Sequence, residues 1–513
     1  MTVRPDVIFL VLDTQRVDRL SSYGYELATS PHFDALAADS TMFHNAISAA
    51  QWTIPSHASM FTGQYPSVHT TVQSFSRLPA SLPTLAERLR DGGYFTSAFC
   101  NNPLVGVVDN GLRRGFYSFL NYSGLLTSRP NQAGIKPNLT DRYRQWFKRV
   151  LSAFITRLQD AFARSDVLLA FSFTPLMVPL WQTALSFKGN TAKSLQDALR
   201  LLIERKGVAK DQPVFAFINL MGTHMPYHPQ RRFVERFAPH VLQNRTAQHY
   251  LRRFNTDVYG WFAPLAGEID DERKTILDGV YNAEVAEQDE QLGAFFNRLK
   301  SSGALDRTMV VVCADHGEHL GEKQLIGHAL SAYNELVHVP LLIRDPTGDL
   351  PRRTTVDQVV STRRLFQTVL TSAGLADESE RAYTLAHSAA SDPDRGIVFA
   401  EALPSQNVVN LIRRRHPETV RRLAFDQPRR AVWRDAHKLI SVGDEWTELY
   451  SMTNDPREKL NLHDIMPEQV EDLQAYLRTF VEYNSGIAPN AEQVIGADDP
   501  EVRRRLRDLG YLE

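Results

Sequence analysis

Asp315 and His316 stand side by side in Ala314-Asp315-His316-Gly317-Glu318-His319, straight after the apolar run Met309–Cys313. A carboxylate offers a hard oxygen ligand and an imidazole a nitrogen ligand, so the pair is a candidate metal site. Asp13 follows a second apolar run, Val7–Leu12, and offers another carboxylate. Thr53 opens the segment Thr53–Gly63, which starts like a helix: Thr53 or its neighbour can cap it, Pro55 suits the first turn and Gly63 can end it. A hydroxyl there faces free N–H groups and the positive end of the helix dipole, which suits a phosphate or sulfate ester. Asp13, Thr53, Asp315 and His316 together form an O,O,O,N set able to hold Mn, Zn, Mg or Ca. A cation there would lower the pKa of the Thr53 hydroxyl and make it a usable nucleophile. Each piece alone has a plainer reading: Thr53 as an N-cap only, and Asp315-His316 as a polar turn after a strand. His57 lies one helical turn after Thr53, so it either faces the anion or is a surface-exposed first-turn histidine.

These residues are far apart in sequence, and the elements between them must bring them together. Val7–Leu12, Phe95–Cys100, Val214–Leu220, Met309–Cys313 and Val339–Ile343 read as buried strands. Helical patterns such as Leu82–Leu89 and Asp278–Lys300 lie between them, which predicts an α/β fold, a mostly parallel sheet with helices on both faces. Four of the runs end at or near Asp13, Asn102, His224 and Asp315-His316, and ligands of such sheets bind beyond the carboxyl ends of the strands. Residues 105–205 break the rhythm and read as an insertion. After about 395 the texture changes to short antiparallel strands (Ile397–Ala400, Ala431–Trp433, Lys438–Ile440) and a helix at Asp499–Leu509. The expected division is a catalytic domain over 1–395 and a small α+β subdomain over 396–513 packed against it.

Within the insertion, Phe147, Leu151, Phe154, Leu158 and Phe162 recur at helical spacing among Lys148, Arg149 and Arg157, and Val167–Phe187 carries no charge. Residues 144–187 thus have two readings: a helical subdomain or oligomer contact, or a membrane-surface hairpin that delivers a lipid substrate. Lys+Arg is 57 and Asp+Glu 59, a balance that argues against a generally basic nucleic-acid binder. The Arg-rich stretch Arg413–Arg430 is mixed with Glu418 and Asp426 and reads as a solvated surface. Two cysteines, Cys100 and Cys313, exclude a disulfide framework and a Cys-rich zinc module, and read as inert core residues. With no signal peptide at Met1–Asp6, the expected compartment is the cytoplasm.

The chain resembles the sulfatase family of the alkaline phosphatase superfamily over nearly its whole length. The resemblance is carried, in the family's order, by Leu12–Arg19 with Tyr23-Gly24-Tyr25, by Ser30–Ala37, by Thr53–Pro66, by Ala314–Glu318, and by Glu448-Leu449-Tyr450 with Asn454–Glu458 and Asn461-Leu462. It implies an alkaline-phosphatase-like fold, ester hydrolysis at sulfur or phosphorus, a covalent enzyme intermediate and one bound divalent metal, manganese favoured. Asp13, Asp315 and His316 take the metal-ligand positions and Thr53 the nucleophile position. His224 matches a histidine that binds the substrate anion or protonates the leaving group. His328, in Ile326-Gly327-His328, matches a Lys or His near the leaving-group oxygen, and Asn102 lies near an anion-contact segment. Glu318, His319 and Glu322 either support the metal motif or merely coat its loop.

The departures carry as much information. True sulfatases place Cys or Ser at the nucleophile position, with Arg four residues later, and oxidise it to formylglycine. Here the two positions hold Thr53 and His57. Oxidised threonine gives only a ketone, so no formylglycine is expected. The set resembles one metal position of Thr-dependent phosphodiesterases and lipoteichoic acid synthases. Hydrolysis of phosphoric or phosphonic esters, diesters included, therefore stands ahead of sulfuric ester hydrolysis. A catalytically silent binding protein on the same fold is the reading from another class.

Overall fold

In the computed structural model, residues 4–106, 108–123, 131–132, 188–256, 267–386 and 391–488 are described. Residues 144–187 and the helix expected at 499–509 lie outside them.

The apolar run at the start of the chain becomes β1 (Asp6–Leu12), buried on both faces. Val7, Phe9 and Val11 enter one hydrophobic core, and Ile8, Leu10 and Leu12 enter the other. This two-sided burial is what a continuous apolar strand requires. The following strands are β2 (Thr41–Ile47), β3 (Phe95–Cys100), β4 (Ser118–Asn121), β5 (Asn131–Gln132), β6 (Val214–Leu220), β7 (Thr308–Cys313), β8 (His319–Leu320), β9 (Ile326–Gly327), β10 (His338–Arg344), β11 (Thr354–Val356) and β12 (Val360–Ser361). The main sheet runs β11-β2-β10-β7-β1-β6-β3-β4-β5, with β12 also on β2. Strands β7, β1, β6, β3 and β4 are parallel to their neighbours in that series. Their carboxyl ends therefore share one edge. The helix Asp271–Ser301 supplies the core on one face, through Val280, Tyr281 and Leu292. The helix Thr53–Thr62 supplies Met60 and Phe61 on the other.

Two expectations are corrected. The run Val339–Ile343 lies in β10, which is antiparallel to both β7 and β2, so its Arg344 end leaves the sheet at the edge opposite the candidate ligands. The described ends of the presumed insertion belong to the sheet layer instead: β4 extends β3, and Ala198 and Leu202 pack into the same core as Phe99 and Ile218.

A four-stranded antiparallel sheet follows, β13 (Val398–Ala402), β14 (Arg429–Arg434), β15 (His437–Val442) and β16 (Trp446–Ser451), in that order. The helix Pro467–Ile487 packs Leu473 and Leu477 onto Val432, Leu439 and Leu449. The other face of this sheet joins the catalytic part through Ile47, Leu336 and Val337. The fully buried Lys438 Nζ donates across that seam to Ala332 O at 2.8 Å and, on its own side, to Glu458 Oε1 at 2.5 Å.

Candidate active site

Asp13 ends β1, and Asp315 with His316 follow β7, its neighbour in the sheet. One ligand atom from each can be chosen so that all three lie within 4.8 Å of one another. All three side chains are fully buried. Thr14 then takes a left-handed φ of 60°, a conformation strained for a β-branched residue. Its N–H lies 3.3 Å from Asp315 Oδ1, which also accepts from the His316 N–H at 2.9 Å. Ser48 and Ser56 donate their hydroxyls to the Asp315 carbonyl at 2.5 and 2.7 Å. Gly317 is needed next, because a Cβ there would meet the Glu335 carbonyl at 2.0 Å.

These contacts leave Asp13 Oδ1 and Asp315 Oδ2 buried with no hydrogen-bond partner among the described residues. His316 Nδ1–H donates to the Gly317 carbonyl at 2.9 Å, which leaves the Nε2 lone pair free, 3.4 Å from Asp315 Oδ2 and 3.8 Å from Asp13 Oδ1. Burial, then the charge of Asp13, holds the Asp315 carboxyl well above the usual carboxylate range. Burial, then His328, holds His316 well below the usual imidazole value and so neutral. Two carboxylate oxygens without a partner among the described residues, and one imidazole lone pair close to them, fit a divalent cation.

Thr53 is the first residue of a ten-residue helix that is buried throughout. Of the two positions the sequence allowed, the cap falls on the neighbour Trp52, in extended conformation with no side-chain cap bond, and not on Thr53. Its Oγ1 is instead turned to the cluster, 3.3 Å from His316 Nε2 and 3.5 Å from Asn102 Nδ2. The free N–H end of this helix lies behind it. Asn102 Nδ2 donates to Asp13 Oδ2 at 2.7 Å, and Asn102 Oδ1 accepts from the Leu104 N–H, which fixes its orientation.

His57 is fully buried, which overturns the surface-exposed reading. Its Nδ1–H donates to the Thr53 carbonyl at 2.8 Å and lies 3.5 Å from Asp315 Oδ2. Phe61 and Phe217 pack against the ring edge to face, and burial lowers its pKa. Asn219 was not singled out from the sequence. It bridges His57 and Asp13, its Nδ2 lying 3.5 Å from His57 Nε2 and 3.5 Å from Asp13 Oδ2. The signal was a lone amide inside the buried run Val214–Leu220.

His224 and His328 form the other wall, their ring centroids 4.9 Å apart, and His328 is 4.6 Å from His316. His224 Nδ1–H donates to the Met225 carbonyl. Burial, then the neighbouring His328, lowers the pKa of His224. Burial would lower His328 as well, but the charge and hydrogen bond of Glu318 outweigh it and raise His328. Glu318 and His319 do not coat a loop: both are buried, and His319 Nε2 pairs with Ser331 Oγ at 2.7 Å. Glu322 holds Arg16 at 2.9 Å.

The family model described as Sulfatase matches residues 5–375. The chain belongs to the sulfatase family. Within the family, the uncharacterized sulfatase YidJ of Escherichia coli (strain K12) is 23% identical over 487 residues, 90% of this chain and 83% of its own. The multifunctional alkaline phosphatase superfamily protein PehA of Trinickia caryophylli is 24% identical over 375 residues, 67% of this chain and 68% of its own. Among solved structures, the phosphonate monoester hydrolase of Agrobacterium radiobacter has a TM-score of 0.64 at 20% identity, covering 94% of this chain and 96% of that one. The chain is thus a sulfatase-family hydrolase with an alkaline-phosphatase-like fold. No helix among its described residues is long and apolar enough to cross a membrane.

Proposed function

We propose that this protein hydrolyses phosphoric or phosphonic esters, diesters included, through Thr53. The observation that carries the reading is a threonine hydroxyl, not a Cys or Ser side chain, 3.3 Å from the free nitrogen of His316 beside two partnerless carboxylate oxygens. A divalent cation, manganese first among Mn, Zn, Ca and Mg, would be held by Asp13, Asp315, His316 and the Thr53 oxygen, and when bound it supplies Lewis acidity to the hydroxyl and to the ester.

The chain's own residues supply the rest. Asn102 fixes Asp13, and His57 with Asn219 fixes the two carboxylates from below. Thr53 Oγ1 attacks phosphorus as its proton passes to water. The helix N–H groups behind it stabilise the charge that grows on the phosphoryl oxygens. As the Oγ–P bond forms, the bond to the alcohol oxygen breaks, and that oxygen takes a proton from His328, with His224 alongside. Water then attacks phosphorus and gives its proton to His328, and Thr53 recovers its own from solvent. The sum is ester plus water to alcohol plus acid.

Sulfatase names among the relatives favour sulfate esters as the second reading. The deciding experiment is a panel of aryl sulfates, phosphate monoesters, phosphate diesters and phosphonate monoesters, each with Mn, Zn, Ca and Mg. Turnover highest on phosphorus esters, lost in Thr53→Ala, supports the proposal. Turnover confined to sulfates, or an aldehyde-reactive group in the untreated protein, sinks it. We also propose a lipid ester as one substrate candidate, through 144–187. Retention of the protein in solution with anionic vesicles at low salt would remove that candidate.

A further inference from the structure

We propose that Glu318 is the positioning residue for His328, and through His328 for departure of the alcohol. The inference rests on the reading of His328 as the group that serves the leaving oxygen. Glu318 is fully buried. Its Oε1 accepts from His328 Nδ1–H at 2.6 Å. Its Oε2 lies 3.4 Å from both the Met225 N–H and the Tyr227 hydroxyl. One carboxylate therefore ties the loop that carries His328 to the loop that carries His224. A carboxylate in such a place is costly unless every donor around it is used. Arg16, the nearby cation, donates instead to the Glu318 backbone carbonyl at 3.0 Å.

The hydrogen bond decides which ring nitrogen does chemistry. With Nδ1–H committed to Glu318, proton exchange at His328 is confined to Nε2. The two halves of the reaction ask opposite things of that atom. In the first, Nε2–H gives its proton to the alcohol oxygen as the P–O bond breaks. In the second, the Nε2 lone pair takes the proton of the attacking water as the P–Oγ bond breaks. Glu318 keeps Nδ1–H, and hence the ring orientation, the same through both. His316 and His224 pack against the same ring, so a slipped His328 would also disturb its neighbours.

Glu318→Gln keeps the side-chain size and an acceptor oxygen while removing the charge. Rates are to be measured on aryl phosphodiesters whose phenols range from 4-nitrophenol to unsubstituted phenol, with the matching aryl sulfates in parallel. A leaving phenol of low pKa needs no proton. Expected, in the single-turnover release of the phenol, which reads the first half alone, is a loss of about 100-fold on the phenyl ester and little on the 4-nitrophenyl ester. In a His328→Ala background, Glu318→Gln should add nothing further, because one acts through the other. Equal losses across all leaving groups, or effects that multiply in the double variant, would make Glu318 merely structural and overturn the proposal. If the Gln variant does not fold, nitrogen-15 histidine NMR of the wild-type protein reads the tautomer. Neutral His328 protonated at Nδ1 supports the proposal and at Nε2 overturns it. Turnover of the sulfates alone would sink the phosphorus reading, while the leaving-group test of Glu318 would still run on those sulfates.

Discussion

Asp315→Asn should make the metal-free protein more stable and the metal-loaded protein less so. Asp13 and Asp315 bring two carboxylates into one buried cluster with ligand atoms within 4.8 Å of one another, one oxygen of each without a hydrogen-bond partner among the described residues. Two like charges at that separation repel by about 3 kcal/mol at an effective dielectric of about 20. Asparagine keeps the oxygen that accepts from the His316 and Thr14 N–H groups, and its amide can donate to the free His316 Nε2, so removing the charge costs few bonds. The assay is urea unfolding of both proteins in EDTA and in saturating manganese. In EDTA at pH 8 the variant should be the more stable by up to that amount. In manganese the order should reverse, because binding to the folded state adds about 2.7 kcal/mol at a hundred times Kd and the variant has lost a charged ligand. Burial and Asp13 raise the Asp315 carboxyl, so in EDTA the folded wild type holds a proton that the unfolded chain releases. Its stability should fall as pH rises above the ordinary carboxylate value of about 4, and the gap to the variant should close towards that pH. A chelated wild type as stable as the variant at pH 8, or one indifferent to manganese, would refute the claim that a cation holds these carboxylates.

Thr53→Ala should lower turnover by more than about 10⁴-fold, yet cost the fold only about 1 kcal/mol. Its Oγ1 makes no cap and, among the described residues, two long polar contacts, so loss of kcat with a nearly unchanged Tm is the expected pair of readings. Lys438→Met should cost about 3–5 kcal/mol by taking the cation from buried Glu458, which keeps the Asn334 N–H, and adding Glu458→Gln should restore much of it in urea unfolding. Glu335 is pushed up to about 7 by burial, then by Glu458 and Glu322. The folded form therefore retains its proton, and stability drains away from about pH 4.5 through 7. Glu335→Gln should gain up to about 3 kcal/mol at pH 8 and nothing at pH 4, read by thermal unfolding across that range.

What the sequence made legible follows from what a residue pattern can encode. Val7–Leu12 and Met309–Cys313 must be buried on both faces wherever they lie, so the polar residues that end them had to emerge at the sheet edge. Direction is a different matter. An apolar run reads alike in both senses, and β10 runs antiparallel to both of its neighbours, β7 and β2. The helix at Thr53 was legible as a helix, but the sequence left open whether Thr53 or its neighbour caps it. An extended Trp52 takes the cap position, and this is what frees the Thr53 hydroxyl to face the ligands. In the role proposed for Thr53, a side chain that satisfied the helix end would be a poorer nucleophile.

Asn219, which was missed, and Glu318, which the sequence left between supporting the metal motif and coating its loop, share one property. Asn219 sits opposite Val11 and Cys100 in the middle of the sheet, and Glu318 lies fully buried two residues past His316. Neither resembles a ligand, and each reads by itself as an interruption of an apolar strand or a loop. Burying an amide or a carboxylate there costs free energy unless partners are supplied. Here the partners are Asp13 and His57 for Asn219, and His328 for Glu318. A polar residue that breaks an otherwise apolar pattern next to a candidate ligand is thus itself evidence of a site, because a fold with no use for it would gain stability from a hydrophobic side chain of the same size.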